Sequence, residues 1–108
     1  MTSAKLSNEA LQRIAGIDRT VHAPARLMIL ALLSVVESAD FTFVMHQTGL
    51  TRGNLSSHMS KLEAAGYIEI TREFVDKIPR TLLRLSGAGH TAIDEYRKNM
   101  KHVLDGLA

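Results

Sequence analysis

A change of hydrophobic period at Gly66 limits the fold of this chain more than any other feature of its sequence. Upstream of it, three apolar residues recur at i, i+4 and i+7, as on the buried side of an amphipathic helix: Leu55, Met59 and Leu62. Downstream, residues 67–74 and 81–86 alternate between apolar and polar side chains, with Asp76 and Lys77 as the predicted turn residues between them. The sequence therefore predicts a helix followed at once by a two-stranded hairpin.

The segment before this helix has the signals of a second, shorter helix joined to it by a tight turn. Thr42 is a candidate N-cap for the short helix, and Gly49 supplies the left-handed conformation that ends it. Thr51 is then placed to cap the longer helix. Two helices with so short a connection make a helix-turn-helix, predicted at about 42–65, and the hairpin follows as a wing at about 67–86.

Three further helices complete the predicted architecture, at about 8–17, 24–38 and 87–105. Ser7 and Ser86 are placed to cap the outer two, and Pro24 suits the first turn of the middle one, which is apolar nearly all round. The predicted fold class is mainly α with a small two-stranded antiparallel wing. It is a winged helix-turn-helix with extra N- and C-terminal dimerisation helices, in a single domain over residues 1–108.

Composition excludes several classes of protein. The 108 residues include no cysteine, which excludes disulfides and sites built on thiolates. The most apolar run, LMILALL at 27–33, is shorter than the about 20 residues that a membrane-spanning helix needs. No export signal opens the sequence, so we expect a cytoplasmic protein without a membrane partner. No nucleophile with a base, paired carboxylates or glycine-rich phosphate loop is present, so we expect neither an enzyme nor a cofactor.

Histidines on the last predicted helix raise the question of a metal site. His90 and Asp94 are four residues apart, and His102 lies further along the same helix. A zinc site needs three or four ligands in tetrahedral reach, and only two are well placed here. Solvation of the helix surface explains these residues more simply, so we predict no metal.

The net charge of +2 is weak evidence of nucleic-acid binding, but its position along the chain is informative. Cations and anions balance in residues 1–49, with four of each, and in residues 85–108, with three of each. The whole excess lies in residues 50–84, where six cations stand against four anions. These residues include the helix-turn-helix and the wing, so the charge supports nucleic-acid binding without deciding it.

Two segments carry a resemblance to a known family: GNLSSHMSKLEAAGYIEI at 53–70 and PRTLLRLSGAG at 79–89. Together with HAPARLMILALL at 22–33, they make residues 20 to about 97 resemble the small MarR-like and ArsR-like winged-helix transcriptional regulators, in particular the short single-domain winged-helix DNA-binding proteins. The resemblance implies that the first segment is a recognition helix and the second the outgoing strand of the wing. It also implies a homodimer that binds double-stranded operator DNA, often as a repressor. The wing departs from the family's pattern, because it reads FVDKIP where a glycine and more cations are common.

The major groove of DNA admits an α-helix, and the N-terminal part of the second helix of a helix-turn-helix reads the bases. We therefore predict base-edge contacts from Arg52, Asn54, Ser56 and Ser57. Phosphate contacts are predicted from the helix starts, the rest of the recognition helix and the wing: Thr42, Thr51, His58, Lys61, Lys77, Arg80 and Thr81. Capping or ordinary solvation explains several of these residues equally well. Helix packing is an alternative role for His58, which adjoins the apolar stripe.

The last predicted helix has apolar residues at steps of three and four, the spacing of a helix–helix contact: Ile93, Tyr96, Met100, Val103 and Leu107. Packing onto its own domain is one interpretation. A helix that trails past a compact winged helix has little core left to cover, however, so we predict a two-fold partner. The first helix would join this interface through Leu11, Ile14 and Ile17. Two recognition helices would then lie about 34 to 36 Å apart on a pseudo-palindromic operator.

Two alternatives remain at this stage. A winged helix used as a protein–protein interaction module would keep the same core without needing Arg52, Asn54, Ser57 and Arg80 together. Within the class of regulators, a small-molecule effector bound between the subunits is a further alternative, although the sequence identifies no pocket for it. The operator sequence, the target genes and the sign of regulation do not follow from these side chains.

Overall fold

The computed structural model describes residues 6–107, so the first five residues and Ala108 of the predicted domain lie outside the described residues. The helices are α1 (Asn8–Ala15), α2 (Pro24–Ser34), α3 (Phe41–Thr48), α4 (Arg52–Ala64) and α5 (Gly87–Asp105), and the strands are β1 (Ala39–Asp40), β2 (Ile68–Val75) and β3 (Ile78–Leu85). Helices α3 and α4 form the predicted helix-turn-helix, and β2 and β3 form the predicted wing. The mainly α winged-helix architecture is therefore confirmed.

Side-chain caps fix where the helices begin. Three predicted caps accept a hydrogen bond from a backbone amide three residues on, at 2.9 to 3.1 Å: Ser7, Thr51 and Ser86. For α3 the prediction of Thr42 was wrong, because Asp40 caps the helix and accepts a 2.8 Å hydrogen bond from the amide of Phe43. Asp40 and Thr42 both precede apolar residues. Asp40 is also paired with Leu82 of β3, which places it directly before the first helical residue.

The sheet has three strands rather than the predicted two. Ala39 pairs with Leu83 and Asp40 with Leu82, which gives the strand order β1-β3-β2. This pairing draws the chain out of α2 at Ser34, before the predicted end near residue 38. Helix α1 also ends two residues before the predicted limit of 17, since Gly16 caps it through its backbone amide.

The hairpin of β2 and β3 is paired along its whole length, from Ile68 opposite Leu85 to Val75 opposite Ile78. The turn residues between them are Asp76 and Lys77, as predicted, with φ of 50° and 67°. Positive φ at both positions is the pattern of a type I′ turn, whose twist matches that of the flanking strands. The wing is therefore a regular, tightly closed ribbon.

The core lies between α2, the helix-turn-helix and the base of the wing. Its fully buried side chains come from all of these elements and from the turn before α2: Val21, Ile29, Leu30, Leu33, Val44, Leu55, Leu62 and Leu83. The predicted stripe of α4 is confirmed, since Leu55, Met59 and Leu62 are all buried. Gly49, with φ of 74°, adopts the predicted left-handed conformation between α3 and α4.

Helix α1 packs along α5, at a distance from this core. Ala10 of α1 and Val103 of α5 are buried outside the main cluster, and Arg13 donates a 2.8 Å hydrogen bond to Asn99. The described structure is long and thin, with principal extents of 67 × 25 × 21 Å. Within residues 6–107, every helix is too short or too polar to cross a lipid bilayer.

Candidate DNA-binding face

Helix α4 has one buried and one open side, as an amphipathic recognition helix requires. The four predicted base-reading residues, Arg52, Asn54, Ser56 and Ser57, are all exposed. Gly53 lies among them, and a Cβ atom added there would meet no heavy atom within 4 Å. The backbone of the first turn is therefore accessible from outside, and small side chains surround it.

Arg52 is held in place by an aromatic ring. Its guanidinium carbon lies 5.1 Å from the ring centroid of Phe41, the first residue of α3. A guanidinium over an aromatic face gains about 0.5 to 1 kcal/mol at an exposed site. This contact orients Arg52 at the start of α4, and the spacing of residues does not predict it because Phe41 is eleven residues away.

A cleft of about 620 Å³ separates α4 from the wing. Arg52 and Ser56 line it from α4, Thr42 lines it from α3, and three wing residues line it from the other side: Arg72, Arg80 and Thr81. The structure thus brings together five of the predicted DNA contacts around one concave surface and adds Arg72, which the sequence analysis missed. The other predicted contacts, Thr51, Asn54, Ser57, His58, Lys61 and Lys77, lie outside the cleft lining.

The cations of α4 and the outer wing differ in their pairing from those of α5 and the wing base. Lys98 and Arg97 both pair with Asp94, Lys101 pairs with Asp105, and Arg84 of the wing base pairs with Glu69, all within 2.8 to 3.0 Å. Arg80 reaches Asp40 only at 3.9 Å. In the part of the chain that the structure describes, four cations of α4 and the wing have no acidic partner within 4.0 Å: Arg52, Lys61, Arg72 and Lys77. These charges remain available to phosphate groups.

His58 has an environment unlike that of the other predicted contacts. It is half-buried, and its Nδ1 lies 3.3 Å from a terminal nitrogen of Arg26. Burial lowers the pKa of His58, and the positive charges of Arg26 and Lys61 lower it further. Arg26 also donates to the carbonyl oxygens of Thr20, at 2.7 Å, and Arg19, at 3.2 Å. This geometry favours the packing role that the sequence left open, since a neutral imidazole attracts phosphate weakly.

The apolar stripe of α5 is divided between two surroundings. Ile93 and Tyr96 are partly buried against the main core, and Val103 is buried, so the chain covers Val103 and only part of the other two. Tyr96 also forms a 2.8 Å hydrogen bond with Nδ1 of His22. Leu107 remains exposed, as do Leu11 and Ile14 of α1, and Leu104 joins them although its spacing was not singled out. Ile17 and Met100 are of intermediate exposure.

A second cleft, of about 510 Å³, runs between α2 and α5. Leu27 and Ala31 line it from α2, and Ile93, Met100 and Leu104 line it from α5.

No group of three or more His, Cys, Asp or Glu within residues 6–107 is arranged to hold a metal ion. Asp94 instead accepts hydrogen bonds from Arg97 and Lys98, which hold the pKa of its carboxyl below the usual range.

A helix-turn-helix with an open, cationic second helix and a paired wing is the DNA-binding unit of winged-helix regulators. The chain belongs to the winged helix DNA-binding domain family, which matches residues 25–104. It is 32% identical over 71 residues to an uncharacterized protein of Methanocaldococcus jannaschii, a match that covers 66% of this chain and 77% of that protein.

Solved structures agree with this assignment. A transcriptional regulator homologue from Pyrococcus horikoshii superimposes with a TM-score of 0.83 at 30% identity, covering 91% of this chain and 96% of that one. A MarR family regulator from Silicibacter pomeroyi has the same fold, with a TM-score of 0.58 at 18% identity over 98% of this chain and 78% of that one. The chain is therefore a DNA-binding transcriptional regulator of the winged-helix type, as predicted. Such regulators act by binding rather than by catalysis.

Proposed function

We propose that this regulator works in the cytoplasm as a homodimeric repressor without enzymatic activity, on a pseudo-palindromic operator. The single observation that carries this proposal is the cleft between α4 and the wing, which is lined by guanidinium groups beside an open recognition helix. Base reading needs short polar side chains and close approach, and α4 offers both in its first two turns. Binding across a promoter excludes the transcription machinery, which is why repression is the proposed sign.

The proposed base readers are Arg52, Asn54, Ser56 and Ser57. The Arg52 guanidinium suits a bidentate contact with guanine, and the Asn54 amide suits adenine. The proposed phosphate contacts are Thr42, Thr51, Lys61, Lys77, Arg80 and Thr81, to which the cleft adds Arg72. His58 is the weakest of the set because its pKa is lowered and Arg26 occupies one of its nitrogens.

Exposed apolar residues at the far end of the protomer support the homodimer. Leu11 and Ile14 of α1 and Leu104 and Leu107 near the end of α5 are all exposed, and α1 packs along α5. A two-fold partner would cover them and set the recognition helices about one DNA turn apart. The apolar cleft between α2 and α5 supports one addition to the proposal, a small apolar effector that binds near this interface.

Fluorescence anisotropy of labelled duplexes tests the DNA-binding part. The purified protein should prefer the DNA upstream of its own gene over a scrambled duplex, with log affinity falling by about 0.9 per phosphate contact for each tenfold rise in salt. The Arg52→Ala/Arg80→Ala double variant should lose about 100-fold in affinity. The control, Arg97→Ala/Lys98→Ala, removes two cations from α5 and should bind as the wild type does. Equal, weak binding to both duplexes would support the interaction-module alternative instead.

Sedimentation equilibrium tests the dimer. Leu107→Glu should shift the protein towards monomers, because a carboxylate would be buried in the interface. Val35→Glu is the matched control, since Val35 is also an exposed apolar residue, 79% exposed, and lies outside both α1 and α5. A wild-type protein that sediments as a monomer at high concentration would end the proposal of a homodimer.

A further inference from the structure

The outer end of the wing is apolar and open to solvent. Phe74 is 75% exposed and Ile78 is 66% exposed, and Val75 and Pro79 are exposed beside them. We call these four residues the apolar wing end. Phe74 pairs with Pro79 and Val75 with Ile78, so each of the last two cross-strand pairs is apolar. Successive residues of a strand point to opposite faces, so both faces of the wing end are apolar.

The protein's own core does not account for these side chains. The apolar residues of the wing that pack against the core stop at Ile70 on β2 and Leu83 on β3. Beyond them the ribbon is still fully paired up to its type I′ turn, so the wing end is held out from the body of the protein by a regular ladder. An exposed aromatic and an exposed isoleucine on a rigid projection indicate a surface that contacts something else.

The position of the wing end indicates what it contacts. Val75, Ile78 and Pro79 line the same cleft as Arg52 and Ser56 of the recognition helix. Arg72 and Arg80 lie on the adjoining wing positions and line it too. The apolar wing end is therefore continuous with the DNA-binding face. A protein partner docked on it would block the cleft that DNA needs.

The net charge at this end of the wing is small. Glu73 and Asp76 offset Arg72 and Lys77 there, and Glu73 stands directly opposite Arg80 in the ladder. Purely electrostatic reading of a narrow minor groove uses inserted cations, which the apolar wing end does not supply. Burial of apolar surface is the remaining source of affinity. In DNA the apolar surface that a side chain reaches from the minor groove lies between base pairs.

We propose that the apolar wing end enters the minor groove and wedges Phe74 and Ile78 against or between base pairs, which kinks the operator beside each half-site. The proposal rests on the DNA-binding function given above and extends it to the wing. Apolar wedges unstack base steps at a cost that the added burial offsets, and they bend DNA by about 20° or more. Pyrimidine–purine steps such as TA and CA unstack most easily, so the operator should carry one beneath each wing. Arg72 and Arg80 hold the phosphates on either side.

A tryptophan reporter tests the insertion directly, because the chain contains no tryptophan. Phe74→Trp places the only indole at the wing end, and stacking on bases should quench most of its fluorescence when the operator duplex is added. Val35→Trp is the control, since that site is 79% exposed and lines neither cleft. Quenching at position 74 with an unchanged signal at position 35 supports the wedge. Equal responses at the two positions would overturn it.

Bending and affinity give the second test. Phe74→Ala, Ile78→Ala and the double variant should reduce the energy transfer between dyes at the two duplex ends, and the double variant should bind about tenfold more weakly. Val35→Ala should leave both quantities unchanged. Replacing the proposed TA or CA step by a GC step should weaken the wild type and leave the double variant unaffected.

The outcomes separate this proposal from the function on which it rests. If the wild type prefers its operator but the wing variants bind and bend it equally well, the wedge is wrong and the regulator assignment stands. If the wild type shows no preference for its operator, the proposed function fails and the wedge fails with it. If Phe74→Ala changes the oligomeric state of the DNA-free protein, the wing end is a protein interface and the wedge is overturned.

Discussion

The recognition helix α4 and the last helix α5 begin with the same chemistry but face different surroundings. A hydroxyl residue caps each of them, Thr51 in one and Ser86 in the other, and each has a glycine within its first three residues. In α4 a Cβ on Gly53 would meet no heavy atom within 4 Å. In α5 a Cβ on Gly89 would overlap the carbonyl oxygen of Tyr67 and come within 2.7 Å of Leu85. One glycine keeps a surface open, and the other allows two elements to touch.

The two helices also differ in whether their cations are paired with acidic residues. On α5, Asp94 pairs with Arg97 and Lys98, and Lys101 pairs with Asp105, so the helix satisfies its own cations. On α4, Arg52 and Lys61 have no acidic partner within 4.0 Å among residues 6–107. Exposed pairs add little stability, so the pairing matters less for the fold than for what each face attracts. Net charge alone therefore describes neither face.

The largest expected effect comes from adding a side chain at Gly89, where α5 lies close to the backbone of Tyr67. Gly89→Ala forces a methyl group against backbone that cannot move cheaply, and should destabilise the protein by about 3 kcal/mol or more. Gly87→Ala is the matched control, because a Cβ there meets no heavy atom within 4 Å. Urea denaturation monitored by circular dichroism measures both. Equal stabilities of the two variants would mean that α5 is not packed on Tyr67 as described.

The next effect concerns Tyr67, which joins the two helices. Its carbonyl accepts from the amide of Ser86 at 3.0 Å, its amide donates to Leu62, and its hydroxyl donates to the carboxylate of Asp18. Tyr67→Phe should cost about 1.5 kcal/mol, since a hydrogen bond to a charged group is lost. The hydrogen bond to Asp18, with burial, raises the pKa of Tyr67 to about 12 from its ordinary 10.0.

The sign of the pH dependence follows from this raised pKa. The folded state keeps the Tyr67 proton where the unfolded chain loses it, so the stabilisation is complete below pH 10.0 and disappears as the pH rises through about 12. Unfolding free energies between these limits should therefore fall more steeply for the wild type than for Tyr67→Phe. Parallel curves would contradict the hydrogen bond to Asp18.

A smaller effect of opposite sign is expected at Gly53. Gly53→Ala should stabilise the protein by up to about 1 kcal/mol, because alanine favours the helix and the added methyl group meets nothing in the chain. The same methyl group stands where the backbone of α4 would approach DNA, so operator affinity should fall. Thermal denaturation and anisotropy together check this exchange of stability for binding. A variant that is both more stable and equally tight would show that α4 keeps its distance from the duplex.

The smallest expected effect concerns the salt dependence of DNA affinity, which should change when a cation of α4 is removed but not when one of α5 is removed. Lys61→Ala should reduce the slope of log affinity against log salt by about 0.9, the value for one phosphate contact. Lys98→Ala on α5 should leave the slope unchanged, since Lys98 already pairs with Asp94 at 3.0 Å. Titrations at four or more salt concentrations are enough to resolve the difference.

Local signals in the sequence were sufficient for most of the fold. The hydroxyl caps of α1, α4 and α5, the left-handed Gly49 and the Asp76-Lys77 turn act within a few residues, and they were predicted correctly. The errors at the end of α2 and the cap of α3 have one long-range cause. Ala39 pairs with Leu83, and no pattern within α2 reports a strand that arrives so much later in the chain.

The candidate site was predictable in its residues and less so in its surroundings. Exposure of the polar side of α4 follows from helical period, so the exposed positions of Arg52 and its neighbours were predictable, while their DNA contacts stay a prediction. The contact of Arg52 with Phe41 and the cleft position of Arg72 depend on how α3 and the wing meet, which spacing does not report. The stripe of α5 illustrates the same limit, because period identifies an apolar side but not whether the chain or a partner covers it.

The strand order β1-β3-β2 has a consequence for synthesis of the protein. The chain emerges from the ribosome with its N-terminus first, so the recognition helix is complete well before β3 appears. The hairpin closes locally, within about 1 to 10 μs for a tight turn. Strand β1, at residues 39–40, is synthesised much earlier, and it can pair only after Leu82 and Leu83 have been added to the chain. A chain that ends before residue 82 therefore lacks the partner of β1 and leaves the three-stranded sheet incomplete.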